Sequence, residues 1–193
     1  MRRTTKTAIA AALLCGGLVP VAEASTLKIQ LRADIRSINP GVNRDANTDG
    51  VVVQIVEGLV AYGEDALPKP LLAEKIDISP DGKSYTFTLR QGVKFHNGAP
   101  LTAADVMWSW TRYMDPKTDW RCLSEFDGRG QVKVEKISAP NDKTVVFDLD
   151  KPSALFLSAL ARTDCAMTGI LHKDSVKADG SFDKPIGTGP FKF

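Results

Sequence analysis

The chain has 193 residues, 43% of them hydrophobic and 25% charged, with a formal net charge of +2. That excess sits at the start: without Arg2, Arg3, Lys6 and Glu23, the 25 basic and 23 acidic side chains cancel to zero. A neutral body has no field to draw in nucleic acid or an anionic membrane, and its length suits one ordinary domain.

Residues 1–24 read as a secretory signal peptide. Arg2, Arg3 and Lys6 supply a basic start, and Ala8 to Val21 is apolar but broken by Gly16, Gly17 and Pro20. Ala22-Glu23-Ala24 is a small-x-small cleavage site, so Ser25 is the expected mature start. The apolar run is too short for a membrane span. Cys15 follows Leu14 where a lipidation signal wants a small residue, and Arg2-Arg3 lacks the flanks of a twin-arginine signal. An exported chain folds in an oxidising compartment, which makes Cys122 and Cys165 candidates for a disulfide. The alternative is two separate buried thiols.

Thr26 to Arg32 alternates Leu27, Ile29 and Leu31 with polar residues, the pattern of a half-buried strand. Ser37-Ile38-Asn39-Pro40-Gly41 breaks it, and a polar loop follows from Val42 to Asp49. Val52, Ile55, Val56, Leu59 and Val60 then predict one stripe of a helix, capped by Thr48 or Asp49 and ended by Gly63. Lys75–Ser79 and Ser84–Arg90 predict a hairpin around Pro80-Asp81-Gly82, with Tyr85, Phe87 and Leu89 on one face. A helix begins at Thr102, where Thr102 and Asp105 have capping-box spacing. It buries Val106, Trp110 and Tyr113 and stops at Asp115-Pro116.

Ser124–Gly130 reads as a polar loop. Val132–Ser138 and Lys143–Leu149 predict a second hairpin around Ala139-Pro140-Asn141-Asp142, and Pro152–Ala161 a further helix. Residues 178–184 read as a loop. Hairpins interspersed with helices point to an α+β fold.

Catalytic and metal motifs are absent from the sequence. His96 and His172 stand far apart, and neither HExxH nor CxxC occurs. His96, after Phe95 at a turn, suits a structural hydrogen bond. No Gly-x-Ser-x-Gly elbow is present. Asp77, Asp81 and Asp105 fall on a strand face, a turn and a cap, so no carboxylate pair suggests acid–base work. Trp110 belongs to a buried stripe, whereas Trp108 and Trp120 fit either core or ligand stacking. Gly187-Thr188-Gly189 is no phosphate loop, because Pro190 lacks an N–H and no Gly-Lys-Ser/Thr follows.

Five blocks occur in a fixed order: Ser37-Ile38-Asn39-Pro40, Glu57-Gly58-Leu59-Val60, the stretch Leu72 to Asn97 (LAEKIDISPDGKSYTFTLRQGVKFHN), Asn97 to Val106 (NGAPLTAADV), and Gly187-Thr188-Gly189-Pro190-Phe191. Together they resemble the extracellular solute-binding proteins, family 5, which serve peptide and nickel ABC importers. The resemblance implies a fragment of a two-lobed periplasmic binding protein fold of class II, the large peptide-binding type, with a mixed sheet, hairpins and flanking helices. It implies that residues 25–49 start the first lobe, 50–185 form an accessory subdomain and 186–193 return to that lobe, where the chain is truncated.

The resemblance further implies capture of peptides or related small solutes in the periplasm, by a monomer that delivers them to inner-membrane permease subunits. Nickel, an opine or an oligosaccharide is the alternative cargo, and a non-functional remnant the alternative status. No enzymatic activity, cofactor or nucleic-acid partner is implied. Ligand contact maps onto Asn43, Arg44, Asp45, Ala46 and Asn47, with Arg44 suited to a carboxylate and Asp45 to an amine. The competing reading is a solvated polar loop that caps a helix.

Overall fold

The computed structural model describes residues 26, 28–42 and 45–193. Leu31–Phe193 form one compact unit. Among the described residues the strand expected over Thr26–Arg32 is not formed: residues 26 and 28–32 lie in no strand and are exposed, Ile29 by 72%, and Leu27 lies outside the described residues. An alternating segment becomes a strand only where a neighbour pairs its backbone, and neither described sheet contains this one.

The first helix, α1 (Ala46–Val52), starts and ends earlier than its apolar stripe suggests. Its cap is Asp45, whose carboxylate accepts the Thr48 N–H at 2.9 Å; neither Thr48 nor Asp49 fills that role. Beyond Val53 the backbone finds partners outside a helix. The carbonyls of Gln54, Ile55 and Glu57 accept from the N–H groups of Phe191, Gly189 and Ile170, and that of Leu59 accepts from Leu71 and Ala73. These tertiary bonds displace the helix that β-branched residues favour only weakly. The stripe still divides sensibly. Val52, Ile55 and Val56 pack with Ala166 and Leu171, while Leu59 and Val60 join the main core. Gly63 turns a hairpin of β1 (Val60–Tyr62) and β2 (Pro68–Pro70) instead of ending a helix.

The main sheet comes from the two expected hairpins. β3 (Ala73–Ile78) and β4 (Ser84–Leu89) flank Gly82, whose φ of +69° only glycine adopts freely. β5 (Val134–Asn141) and β6 (Thr144–Leu149) form the other pair. β4 and β6 join them in the order β3-β4-β6-β5, and every pairing is antiparallel. The hairpins and flanking helices expected of the α+β fragment are present, but in place of the expected mixed sheet the described residues hold antiparallel pairs alone.

Alternation puts Tyr85, Phe87 and Leu89 beside Val145, Phe147 and Leu149 on the buried face. The opposite face is polar, where Ser84 donates to Asp148 at 2.7 Å.

Helix α2 (Ala103–Met114) covers the buried face. The Asp105 carboxylate accepts from both the N–H and the hydroxyl of Thr102, so the expected capping residues are in contact. Trp110 meets Phe147 edge-on at 5.0 Å, and Phe156 lies 5.6 Å from Phe147. Each such buried ring adds about 2–3 kcal/mol of apolar burial.

The segment Ser124–Gly130 is not wholly loop. Helix α3 (Leu123–Phe126) begins just before it and inserts Phe126, fully buried, between Trp110 and Trp120. Helix α4 (Phe156–Leu160) is shorter than the predicted Pro152–Ala161; before it, the Ser153 carbonyl accepts both the Tyr85 hydroxyl at 2.7 Å and the Phe156 N–H in a turn at 3.4 Å. Tight 3-10 turns at Pro116–Thr118, Thr163–Thr168 and Lys173–Ser175 complete the path.

Candidate functional site

The segment predicted to face a ligand is fixed on both flanks. On the first flank, Arg112 of α2 donates to the Asn39 side-chain oxygen at 2.7 Å. Pro40 and Gly41 are buried, and Gly41 has φ +68°. A Cβ on Gly41 would overlap the Trp120 indole. The Gly41 carbonyl accepts the Arg121 N–H at 3.0 Å. On the second flank, the Arg121 guanidinium reaches Asp49 of α1 at 2.6 Å, with both side chains largely buried at 10% and 19% exposure. Burial pushes the Asp49 carboxyl above its ordinary range, and the Arg121 hydrogen bond opposes that rise.

Of the five expected contact residues, Asn43 and Arg44 lie outside the described residues. Asp45 is directed into the helix cap, accepting the Thr48 N–H and also its hydroxyl at 2.8 Å. The Thr48 backbone bond, followed by the hydroxyl, holds its carboxyl below the usual range. Ala46 is exposed and Asn47 half-buried at the start of α1.

Beside this segment an open groove of about 560 Å³ separates α2 from the 176–182 loop. Asn39, Trp108, Arg112, Lys117 and Phe182 line it, and the Arg112 guanidinium sits 5.2 Å from the Phe182 ring centre.

Trp120 resolves as core: it is 2% exposed and stacks on Phe126 with ring centres 5.7 Å apart. Trp108 is half-buried against the Val52 cluster. Cys122 and Cys165 are bonded to each other, with Cα atoms 5.8 Å apart. Among the described residues, Cys122, Asp164 and Cys165 are the one trio with metal-ligand proximity. A disulfide offers no thiolate to an ion, so the trio is not a metal centre.

The closing block folds back onto the end of α1. Gly187 and Gly189 press on the backbone of Ile55, where any Cβ would collide. The His96 N–H donates to the Gly187 carbonyl at 2.9 Å, and its Nε2–H to the Gly189 carbonyl at 2.8 Å. His96 therefore has the structural role its position suggests. The clamp of Arg112, Trp120 and Arg121 was not visible in sequence, because irregular segments carry no periodicity to mark a contact.

An antiparallel sheet under α2, with the chain returning through a glycine-rich segment beside its point of entry, is the fold of part of the class II periplasmic binding proteins. The arrangement superposes on the periplasmic binding protein AgaA from A. tumefaciens R10, solved with agropinic acid, with a TM-score of 0.73 and 35% identity. That match covers 83% of this chain and 31% of AgaA. It also superposes on the periplasmic binding protein DppA from Helicobacter pylori, solved with the peptide STSA, with a TM-score of 0.69 and 34% identity, over 83% of this chain and 35% of DppA.

The chain belongs to the bacterial extracellular solute-binding proteins, family 5, whose middle region matches residues 68–193. It is 32% identical over 180 residues to the oligopeptide-binding protein OppA of Bacillus subtilis strain 168, across 87% of this chain and 33% of OppA. The chain thus spans 33% of OppA and between about a quarter and two fifths of other curated relatives it matches.

Proposed function

We propose that this chain contributes to a receptor that captures a peptide or related small solute in the periplasm and hands it to an ABC permease. The observation that carries the reading is the 34% identity and TM-score of 0.69 to peptide-bound DppA over 83% of this chain. Capture needs no chemistry: the ligand enters a cleft, two lobes close on it, and the closed form docks on the permease. Residues 25–49 would begin the first lobe, 50–185 form an accessory subdomain and 186–193 re-enter that lobe. The signal-like start supports export with cleavage after Ala24, and the receptor would act as a monomer. Asp45, Ala46 and Asn47 are the described residues assigned to ligand contact, with Asn43 and Arg44 beside them in sequence.

One observation favours a second cargo. The superposition on AgaA, solved with agropinic acid, has the higher TM-score of 0.73. An opine is therefore the alternative ligand class.

The test is thermal melting of the mature, complete protein with di-, tri- and oligopeptides, opines, oligosaccharides and nickel. A ligand that binds only the folded state raises the midpoint. Stabilisation by peptides supports the leading reading and stabilisation by opines the alternative. No shift with any class overturns both.

A further inference from the structure

Three consecutive residues, Trp120, Arg121 and Cys122, reach both flanks of the segment assigned to ligand contact. The Trp120 indole lies against Gly41, which the absence of a Cβ permits. The Arg121 backbone N–H holds the Gly41 carbonyl, and its guanidinium holds Asp49. Cys122 ties this triplet to Cys165, which opens a turn unlike any other among the described residues. Ala166, Met167 and Thr168 follow it with φ values of 52°, 55° and 48°. Left-handed backbone in three successive non-glycine residues is unfavourable and persists only where surroundings enforce it. Met167 meets Gly58 there, and Ala166 packs on Val52, Ile55 and Val56 behind α1.

We infer that Arg121 is a positioning residue for ligand binding. It holds Gly41 and Asp49 in fixed relation, and the Cys122–Cys165 bond anchors Arg121 to the turn that supports α1 from behind. The inference rests on the proposed ligand role of residues 45–47. It adds what sets their geometry: an ion pair with little access to water, braced by a covalent link. A flank held in its bound shape before the ligand arrives loses less freedom on binding. No part of the role requires Arg121 to touch ligand.

The test is amide exchange on the mature, complete protein, comparing wild type with Arg121→Met and Asp49→Asn. The second variant removes the charge pair without disturbing Trp120 or the disulfide, and so serves if Arg121→Met does not fold. The amides of Thr48, Asp49 and Val53 should exchange on the order of tenfold faster or more, since breaking a largely buried pair strands a charge or its partner. Those of Phe87 and Phe147 in the sheet should not change. Trialanine and agropinic acid then serve as binding probes, and whichever binds wild type should dissociate faster from both variants.

Unchanged exchange in α1 overturns the inference, as does equal acceleration in sheet and helix, which would mean a purely structural role. Unaltered dissociation of a probe from variants with a loosened α1 also overturns it. If wild type binds neither probe nor any other peptide, opine, oligosaccharide or nickel ligand while α1 loosens selectively, the clamp stands and the ligand reading of residues 45–47 fails.

Discussion

The hydroxyl of Thr188 donates to the Glu57 carboxylate at 2.8 Å, across a separation of 131 residues. It joins the second and the last of the five sequence blocks, so two short motifs that look independent in the sequence are halves of one contact. Thr188→Val keeps the shape and removes the donor. It should lower stability by about 1.5–3 kcal/mol in urea unfolding, the net range for a hydrogen bond to a charged group.

Gly58 of the same Glu57-Gly58-Leu59-Val60 block leaves no room for a side chain. A Cβ there would overlap the Met167 carbonyl oxygen, which is backbone and cannot rotate away. Gly58→Ala should cost about 2 kcal/mol or more, the range of overpacking in a core. A thermal melt against wild type reads it, and a cost near zero would mean that the left-handed turn at Met167 yields easily.

Where the sequence could be read and where it could not follows from the range of the forces involved. The two main hairpins were legible because strict alternation and an Asp-Gly turn are local signals. Helix α2 was legible because the Thr102–Asp105 pair and Asp115-Pro116 mark its ends. The helix expected over Val52–Val60 failed because its backbone carbonyls are claimed by Ile170, Gly189 and Phe191, more than a hundred residues further on. Phe126 was missed because its neighbours are polar and only its tertiary position between two tryptophans buries it. At the candidate site the turn at Pro40-Gly41 could be read, but not Arg121, whose importance lies wholly in contacts distant in sequence.

Tyr113 is fully buried and its hydroxyl donates to the Gly169 carbonyl at 2.6 Å. Desolvation pushes its pKa far upward, so it remains a neutral donor. Tyr113→Phe keeps the ring packing on Trp120 and strands that carbonyl, at a cost of about 1–3 kcal/mol in chemical denaturation.

Cys122 and Cys165 close a loop with a sequence separation of 43 residues. Replacing both by Ala should lower stability by about 2–4 kcal/mol, mostly by freeing the unfolded chain in the loop-entropy account. Reductant should lower the wild-type melting temperature and leave that of the double variant unmoved.

Acid should act through carboxyls of opposite sign. Asp164 is depressed first by its hydrogen bond from Arg162, and Asp45 first by the Thr48 backbone bond, both from an ordinary value of 3.8. A depressed folded value means stability that is present above 3.8 and lost as the pH falls through the folded value. Asp49 is raised, so its contribution is complete below the ordinary value and declines as the pH climbs through its folded one. Urea melts over this acidic range should therefore show stability falling steeply below pH 3.8. Asp164→Asn should soften that fall.

The Gly189 N–H bonds the Ile55 carbonyl at 3.0 Å and the Phe191 N–H bonds that of Gln54 at 3.0 Å, so everything between is entered and left through one doorway. Surface loops within such a stretch can change in length while its two ends stay neighbours, provided the Arg112–Asn39 and Arg121–Asp49 contacts to the preceding segment are kept. Recombination among members of this solute-binding family has a natural pair of crossover points at residues 55 and 189. A chimera carrying another relative's stretch between them inherits the joint intact.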